Sequence, residues 1–221
     1  VRPNADEWEA AEEIPRAVFR DMGARGFLGV RYEEKYGGAE MDVFGAVVMG
    51  EELGRGGLGG FTAATMVHTE MASPHLARYG TQEQKDRYMP GIVSGETVTA
   101  IGVTEPGGGS DVANLKTRAE RRGNGWVLNG SKVFITNGVL GDLYFIAART
   151  DPEEKPSRGI SMFIVEKGTP GFEVVRKLDK MGWRCSDTAE LHFDNVELPG
   201  DALLGGEGRG FYQIMDNFQN E

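Results

Sequence analysis

Val103-Thr104-Glu105-Pro106-Gly107-Gly108-Gly109-Ser110-Asp111 and Trp126-Val127-Leu128-Asn129-Gly130-Ser131-Lys132-Val133-Phe134-Ile135-Thr136-Asn137 are the two stretches on which the reading of this chain turns. The first follows Thr97–Thr104, a short run with the Val, Ile and Thr content of a strand. Three consecutive glycines then free the backbone, so that N–H groups can gather into one concavity suited to an anion or the edge of a polar ring. An ordinary turn is the competing reading. In the second stretch, Asn129-Gly130 has the composition of a two-residue hairpin turn with positive φ. Phe134, Ile135 and Thr136 then set an aromatic, an aliphatic and a hydroxyl side by side, which fits either a flat heteroaromatic cofactor or sheet core.

Outward from these stretches the texture divides the chain. Candidate strands after residue 96 are Thr97–Thr104, Trp126–Leu128, Lys132–Thr136, Leu143–Arg149, Ile160–Glu166, Phe172–Val175 and Ala189–Phe193. Many short strands separated by Gly, Asn and Pro point to an antiparallel barrel or sandwich. The preceding residues read as helices. Pro15 suits the first turn of one that stops at Gly26, and Asp42 caps Val43–Leu53. Further helices span Phe61–Ala72 and Ser73 to Gly80, and Thr81 with Gln84 forms a capping box for another that Pro90 ends. Ala46, Met49, Gly50 and Leu53, like Ala64, Val67 and Met71, fall at the spacing of a buried helical stripe. From Gly210 the pattern is helical again. The fold class is therefore α+β: a helical domain over residues 1–96, a β-barrel middle domain over 97–208, and the start of a further helical element over 209–221. Asp151–Arg158, charged and with two prolines, reads as a solvated loop.

Composition narrows the function classes. Hydrophobic residues are 39% and charged ones 26% of 221, which is globular. Lys and Arg number 24 against 34 acidic residues, a net charge of −10 that disfavours nucleic-acid and membrane-surface partners. No apolar run reaches the roughly 20 residues of a bilayer span, and residues 1–20 show no secretory pattern; the expectation is a soluble intracellular protein. The single Cys185 excludes an internal disulfide framework and is read as a packed thiol. His68, His75 and His192 lack metal-ligand spacing and are read as structural, with no metal site. Glycine, 33 of 221, is about twice the usual share. Gly54, Gly56 and Gly59 fit G-x-G-x-x-G formally, but a helix precedes them where a dinucleotide fold needs a strand. Ser110 lacks the glycine at 112 that a hydrolase elbow requires, since Val112 stands there.

V-T-E-P-G-G-G-S-D followed by G-W-V-L-N-G-S-K-V-F-I-T-N-G resembles the two flavin-binding signatures of the acyl-CoA dehydrogenases. G-F-L-G-V-R-Y-E-E-K-Y-G-G upstream and K-M-G-W-R-C-S-D-T-A-E-L-H-F-D-N-V downstream extend the likeness over nearly the whole chain. The resemblance implies a helical domain, a middle β-barrel and a C-terminal four-helix bundle, here mostly missing. It implies FAD lined by residues 101–110, Ile101, Gly102 and Gly109 among them, with Val103 and Thr104 near the isoalloxazine ring and Ser110 at the junction with substrate. Phe134, Ile135 and Thr136 would pack and hydrogen-bond the other side. Phe134 stands where many members carry tryptophan, and Gly108 replaces a common alanine.

The same resemblance, closest to the long-chain and isovaleryl branch, implies removal of an α-proton by a glutamate and of a β-hydride by the flavin. Gly210-Phe211-Tyr212-Gln213-Ile214-Met215 matches the branch's first bundle helix and makes Glu221 the candidate base, with Tyr212, Gln219 and Asn220 on the substrate. Nine residues of ideal helix turn about 900°, which sets Tyr212 and Glu221 on opposite faces unless the helix begins after Tyr212 or the two touch different parts of a long ligand. Ser157-Arg158 matches a pair near the CoA moiety, where a guanidinium could meet a phosphate; a solvated loop arginine is the alternative. Electron-transfer flavoprotein as partner, a homotetramer, and a bacterial cytoplasmic or mitochondrial-matrix location complete the expectation. An acyl-CoA oxidase on the same fold and a non-catalytic acyl-CoA-binding protein are the competing functions.

Overall fold

In the computed structural model, which describes residues 1–218, six α-helices precede the first strand. They are α1 (Ala5–Ala11), α2 (Arg16–Ala24), α3 (Val43–Arg55), α4 (Gly59–Met66), α5 (Ser73–Tyr79) and α6 (Gln82–Ser94). Their ends follow local chemistry. Asp42 Oδ1 accepts from Phe44 N at 2.9 Å to start α3. Thr81 and Gln84 form the reciprocal box of α6, and Gln84 Nε2 goes on to donate to the carbonyls of Asp201 and Leu203. Pro90 does not end α6: the helix continues to Ser94 and stops at Gly95, φ 77°. Burial of Met89, Ile92 and Val93 on its inner face outweighs a cost of about 3 kcal/mol for an interior proline. Helix α1, which buries Trp8, has no counterpart in the sequence reading.

Between α4 and α5 the helix widens to a π-helical stretch, Val67–Ala72. Its carbonyls are taken by side chains from elsewhere. Tyr32 Oη donates to Thr69 O at 2.8 Å, Thr99 Oγ1 to His68 O at 3.1 Å, and both His75 Nδ1 and Asn217 Nδ2 meet Met71 O at 3.0 Å. Such bonds give outside partners to carbonyls on a stretch where the α ladder is interrupted.

Eight strands follow: β1 (Thr99–Gly102), β2 (Arg118–Arg122), β3 (Gly125–Thr136), β4 (Leu143–Arg149), β5 (Ile160–Glu166), β6 (Phe172–Lys177), β7 (Thr188–Leu198) and β8 (Leu203–Leu204). The order is β6-β7-β3-β2-β4-β5-β8, with β1 beside β4. The sheet is mixed, since β1 and β2 each run parallel to β4. It is also open, with β6 and β8 at its ends, so the expected barrel is a bent sheet that does not close. Asn129-Gly130 is not a turn: β3 runs unbroken through it, and the register against β7 shifts between Leu128 and Gly130. Gly130 adopts φ 147° in a bulge where a Cβ would come within 2.7 Å of Thr117 Cα. The hairpin lies earlier, at Gly123-Asn124 between β2 and β3, with Gly123 at φ 59°.

Strand β4 is buried on both faces, which explains its unbroken apolar sequence. Leu143, Phe145 and Ala147 face a core shared with Leu76, Met89 and Ile92 of the helices. Tyr144, Ile146 and Ala148 face a second core with Trp126, Leu128, Phe163 and Phe193. Helix α7 (Gly210–Asn217) seals the first of these with Ile214. No helix among the described residues is long and apolar enough to cross a membrane. Substituting Gly130→Ala should lower stability by at least about 1 kcal/mol in a urea titration, because the bulge admits neither a Cβ nor its φ.

Candidate functional site

Strand β1 and the loop after it meet β3 through a small set of bonds. Val133 N donates to Thr104 O at 2.9 Å. Lys132 Nζ donates to Val103 O at 3.0 Å and to Glu105 Oε1 at 2.9 Å. Glu105 also accepts from Lys116 N at 2.5 Å and Thr117 N at 2.8 Å. Burial works to raise the Glu105 pKa, yet the neighbouring ammonium and these donors hold it below its ordinary value. Burial lowers that of Lys132, against the pull of Glu105. Neither residue was assigned a role from sequence, although both lie inside the quoted stretches.

The residues expected at a cofactor divide by which part of them faces outward. Ile135 is buried in the second core and Gly102 beneath Ile146, so only their backbone is available to a ligand. Ile101 and Val103 pack against the first core. Thr104 and Thr136 are half-buried, Ser110 is exposed, and among the described residues no hydrogen bond is found for any of their three hydroxyls. The glycine loop does not form an open nest. Glu105 and Gly108 exchange both backbone bonds, at 3.0 and 3.1 Å, and none of Gly107, Gly108 and Gly109 has positive φ. Gly109 lies against Thr104, where a Cβ would come 3.2 Å from Cγ2.

Phe134 is the anomaly. It stands at φ 62° where the β3–β7 register shifts, and 66% of its surface is exposed. A bulky residue in the left-handed region costs roughly 1–2 kcal/mol, and burial returns little here. The bulge turns the ring out of the sheet beside the half-buried Thr136. An outward aromatic face, with hydroxyls on both segments unbonded among the described residues, fits a flat ring with a polar edge.

The supports behind these segments come from the helical domain. His68 Nδ1 accepts from Thr99 N at 3.1 Å and its Nε2 meets Ile92 O at 3.1 Å, a neutral ring whose pKa burial lowers to about 4. Asn137 Nδ2 donates to Ala64 O at 2.9 Å and Thr99 O at 3.2 Å. Both side chains lock α4 and the π stretch onto β1.

A second group assembles around a cavity of about 460 Å³ lined by Thr150, Asp151, Arg158, Glu207, Arg209 and Tyr212 among others. Arg158 and Ser157 lie beside the Tyr212 phenol and lower its pKa. Arg209 lies over the Tyr212 ring at 5.2 Å. Among the described residues neither Arg158 nor Arg209 has a salt-bridged carboxylate, while Glu207 is held by Arg121. Arg209 escaped the sequence reading; its signal was a cation directly before the Gly210 helix start. Helix α7 already includes Tyr212, which removes a late start as the answer to its opposition with Glu221. Gln219, Asn220 and Glu221 lie outside the described residues. The two groups border one core, since Ile101, Val103 and Phe211 all pack against it. Among the described residues no cluster of His, Cys, Asp and Glu could hold a metal ion.

Residues 1–96 match the N-terminal domain of acyl-CoA dehydrogenases and residues 100–196 their middle domain. The chain is 44% identical to the mitochondrial long-chain specific acyl-CoA dehydrogenase of Mus musculus, over 100% of its own length and 51% of that protein. It is similar to the crystal structure of an acyl-CoA dehydrogenase from Geobacillus kaustophilus, with TM-score 0.95 and 45% identity over 99% of this chain and 57% of that one. A glutaryl-CoA dehydrogenase from Mycobacterium smegmatis in complex with FADH2 matches at TM-score 0.90 and 33% identity, over 100% and 55%. The chain thus spans about half the length of its relatives.

Phe134→Gly should leave stability unchanged or raise it by about 1 kcal/mol in chemical denaturation, because the strain goes and little burial is lost. His68 and His75 are both depressed to about 4 by burial. Below the ordinary histidine pKa of about 6.5 the unfolded chain takes up protons that the folded one refuses. Their contribution, on the order of 3 kcal/mol each, is complete above that pH and is lost as pH falls towards about 4. Stability measured across this window should therefore decline, and less steeply in His68→Gln and His75→Gln.

Proposed function

Because the chain belongs to the acyl-CoA dehydrogenase family, we propose that the full-length protein dehydrogenates an acyl-CoA thioester between Cα and Cβ, with FAD as cofactor. The observation that carries this is the outward Phe134 ring, kept at a strained φ on a segment bonded to Thr104, with the Thr104 and Thr136 hydroxyls unbonded among the described residues. Bound FAD supplies the acceptor for the β-hydride. Phe134 would stack on the ring, Thr104 and Thr136 would donate to its polar edge, and the backbones of Ile101, Gly102, Val103 and Ile135 would define the width of the slot. Gly109 and Ser110 would approach the junction with substrate.

Substrate recognition falls to the second group. Arg158 and Arg209, neither salt-bridged to a carboxylate among the described residues, suit the phosphates of CoA, and Ser157 and Tyr212 would flank Arg158 there. Glu221 is proposed as the base that takes the α-proton, with Gln219 and Asn220 beside the substrate. A carboxylate works best here when an apolar setting raises its pKa towards neutrality. Electron-transfer flavoprotein as the oxidant of the reduced enzyme, and a homotetrameric assembly, belong to the same proposal, as do domain limits at 96/97 and 208/209.

The test is anaerobic bleaching of the yellow full-length protein by acyl-CoA, followed by reoxidation with air or with the flavoprotein. Fast reoxidation by the flavoprotein alone is expected; fast reoxidation by air would indicate an oxidase. Glu221→Gln should abolish bleaching while acyl-CoA still binds; persistent bleaching would remove Glu221 as the base. Arg158→Ala should weaken acyl-CoA binding about tenfold with little effect on FAD content.

A further inference from the structure

Lys132 has no exposed side-chain surface and its partner Glu105 only 6%. A buried ion pair of this kind is often matched or bettered in stability by apolar residues of similar volume, so its presence here calls for another reason. Its placement supplies one. The ammonium bonds the carbonyl of Val103, and Val133 N bonds the carbonyl of Thr104, so the pair fastens the backbone of the first segment to β3 two residues before Phe134. The carboxylate extends the other way, to the amides of Lys116 and Thr117. Thus the positive end is at the peptide that flanks the proposed ring and the negative end is displaced from it.

We propose that the Lys132–Glu105 pair is a positioning device that sets the reduction potential of the flavin as well as its seat, an inference that rests on the FAD reading above. Taking up two electrons and one proton makes the bound ring one charge more negative. In a water-poor setting that step is sensitive to the net charge behind the ring. Intact, the pair contributes no net charge and its cationic end is forward. Without the ammonium, Glu105 keeps two amide donors and remains an anion, so reduction becomes harder. Without the carboxylate, burial leaves Lys132 either a lone cation or a neutral amine, and reduction becomes easier or stays as it was.

Full-length Lys132→Met, Glu105→Gln and the double variant are compared with the parent by FAD affinity of the apoprotein and by equilibration of the holoprotein with a redox dye. Lys132→Met should lower the midpoint potential, Glu105→Gln should leave or raise it, and the double variant should return towards the parent value. A purely structural strut predicts that all three shift together, with the double variant at least as far as either single one. That result, or unchanged potentials in three variants that still bind FAD, overturns the proposal. If Lys132→Met does not fold, Glu105→Gln lying below the double variant has the same force. A parent protein that takes up no FAD defeats the cofactor reading itself.

Discussion

A charge withdrawn from water has to find partners in the protein or give up its proton, and Lys132 has found two: a carbonyl of one segment and a carboxylate that itself gathers two amides. Three stretches far apart in sequence are thereby fixed at one point: residues 103–105 after β1, residues 116–117 before β2, and the middle of β3. The rest of the site is arranged around that point. Because β3 is held at Lys132, the register shift that follows it throws the next aromatic outward. Because the first loop is held at Val103 and Glu105, Thr104 is presented between two fixed peptides. Breaking one partner would leave an unmatched buried charge, a larger loss than any surface ion pair here represents.

The helical domain is fastened to the same place by neutral groups. His68 and Asn137 both end on Thr99, one receiving its N–H and the other donating to its carbonyl. These bonds reach a four-residue strand that, among the described residues, pairs with β4 alone, so they replace the ladder that a longer strand would provide. Strain at Phe134 persists because the surroundings on both sides over-determine it.

Much of the fold was readable because its determinants are local. Asp42, Thr81 with Gln84, and Gly80 act within a few residues, and the apolar run of β4 reports its double burial. The errors came where distant contacts won. Pro90 is a breaker by local rules, but its neighbours Met89, Ile92 and Val93 are buried in the protein interior. Asn129-Gly130 has turn chemistry, yet pairing with β7 on one side and close approach of Thr117 on the other keep it in a strand. Strand β2, with four charged residues of five, carries no apolar alternation to read. Candidate cofactor residues were readable as candidates from threonines and a phenylalanine at a strand end, together with the motif resemblance. Lys132 and Glu105 were not, since an isolated charge in a strand reads as solvent-facing until its partner is brought 2.9 Å away.

The widened helix at Val67–Ala72 fixes something other than identity: the number of residues. Six residues at this wider winding turn the chain about as far as five of an ordinary helix, so losing one of the six and relaxing would leave His75 and Leu76 facing the interior. What would be lost is the set of carbonyls that the widened turn leaves to Tyr32, Thr99 and Asn217, since they would return to the helical ladder. The count of six therefore decides which carbonyls stay free for the neighbouring elements, and not which way α5 faces.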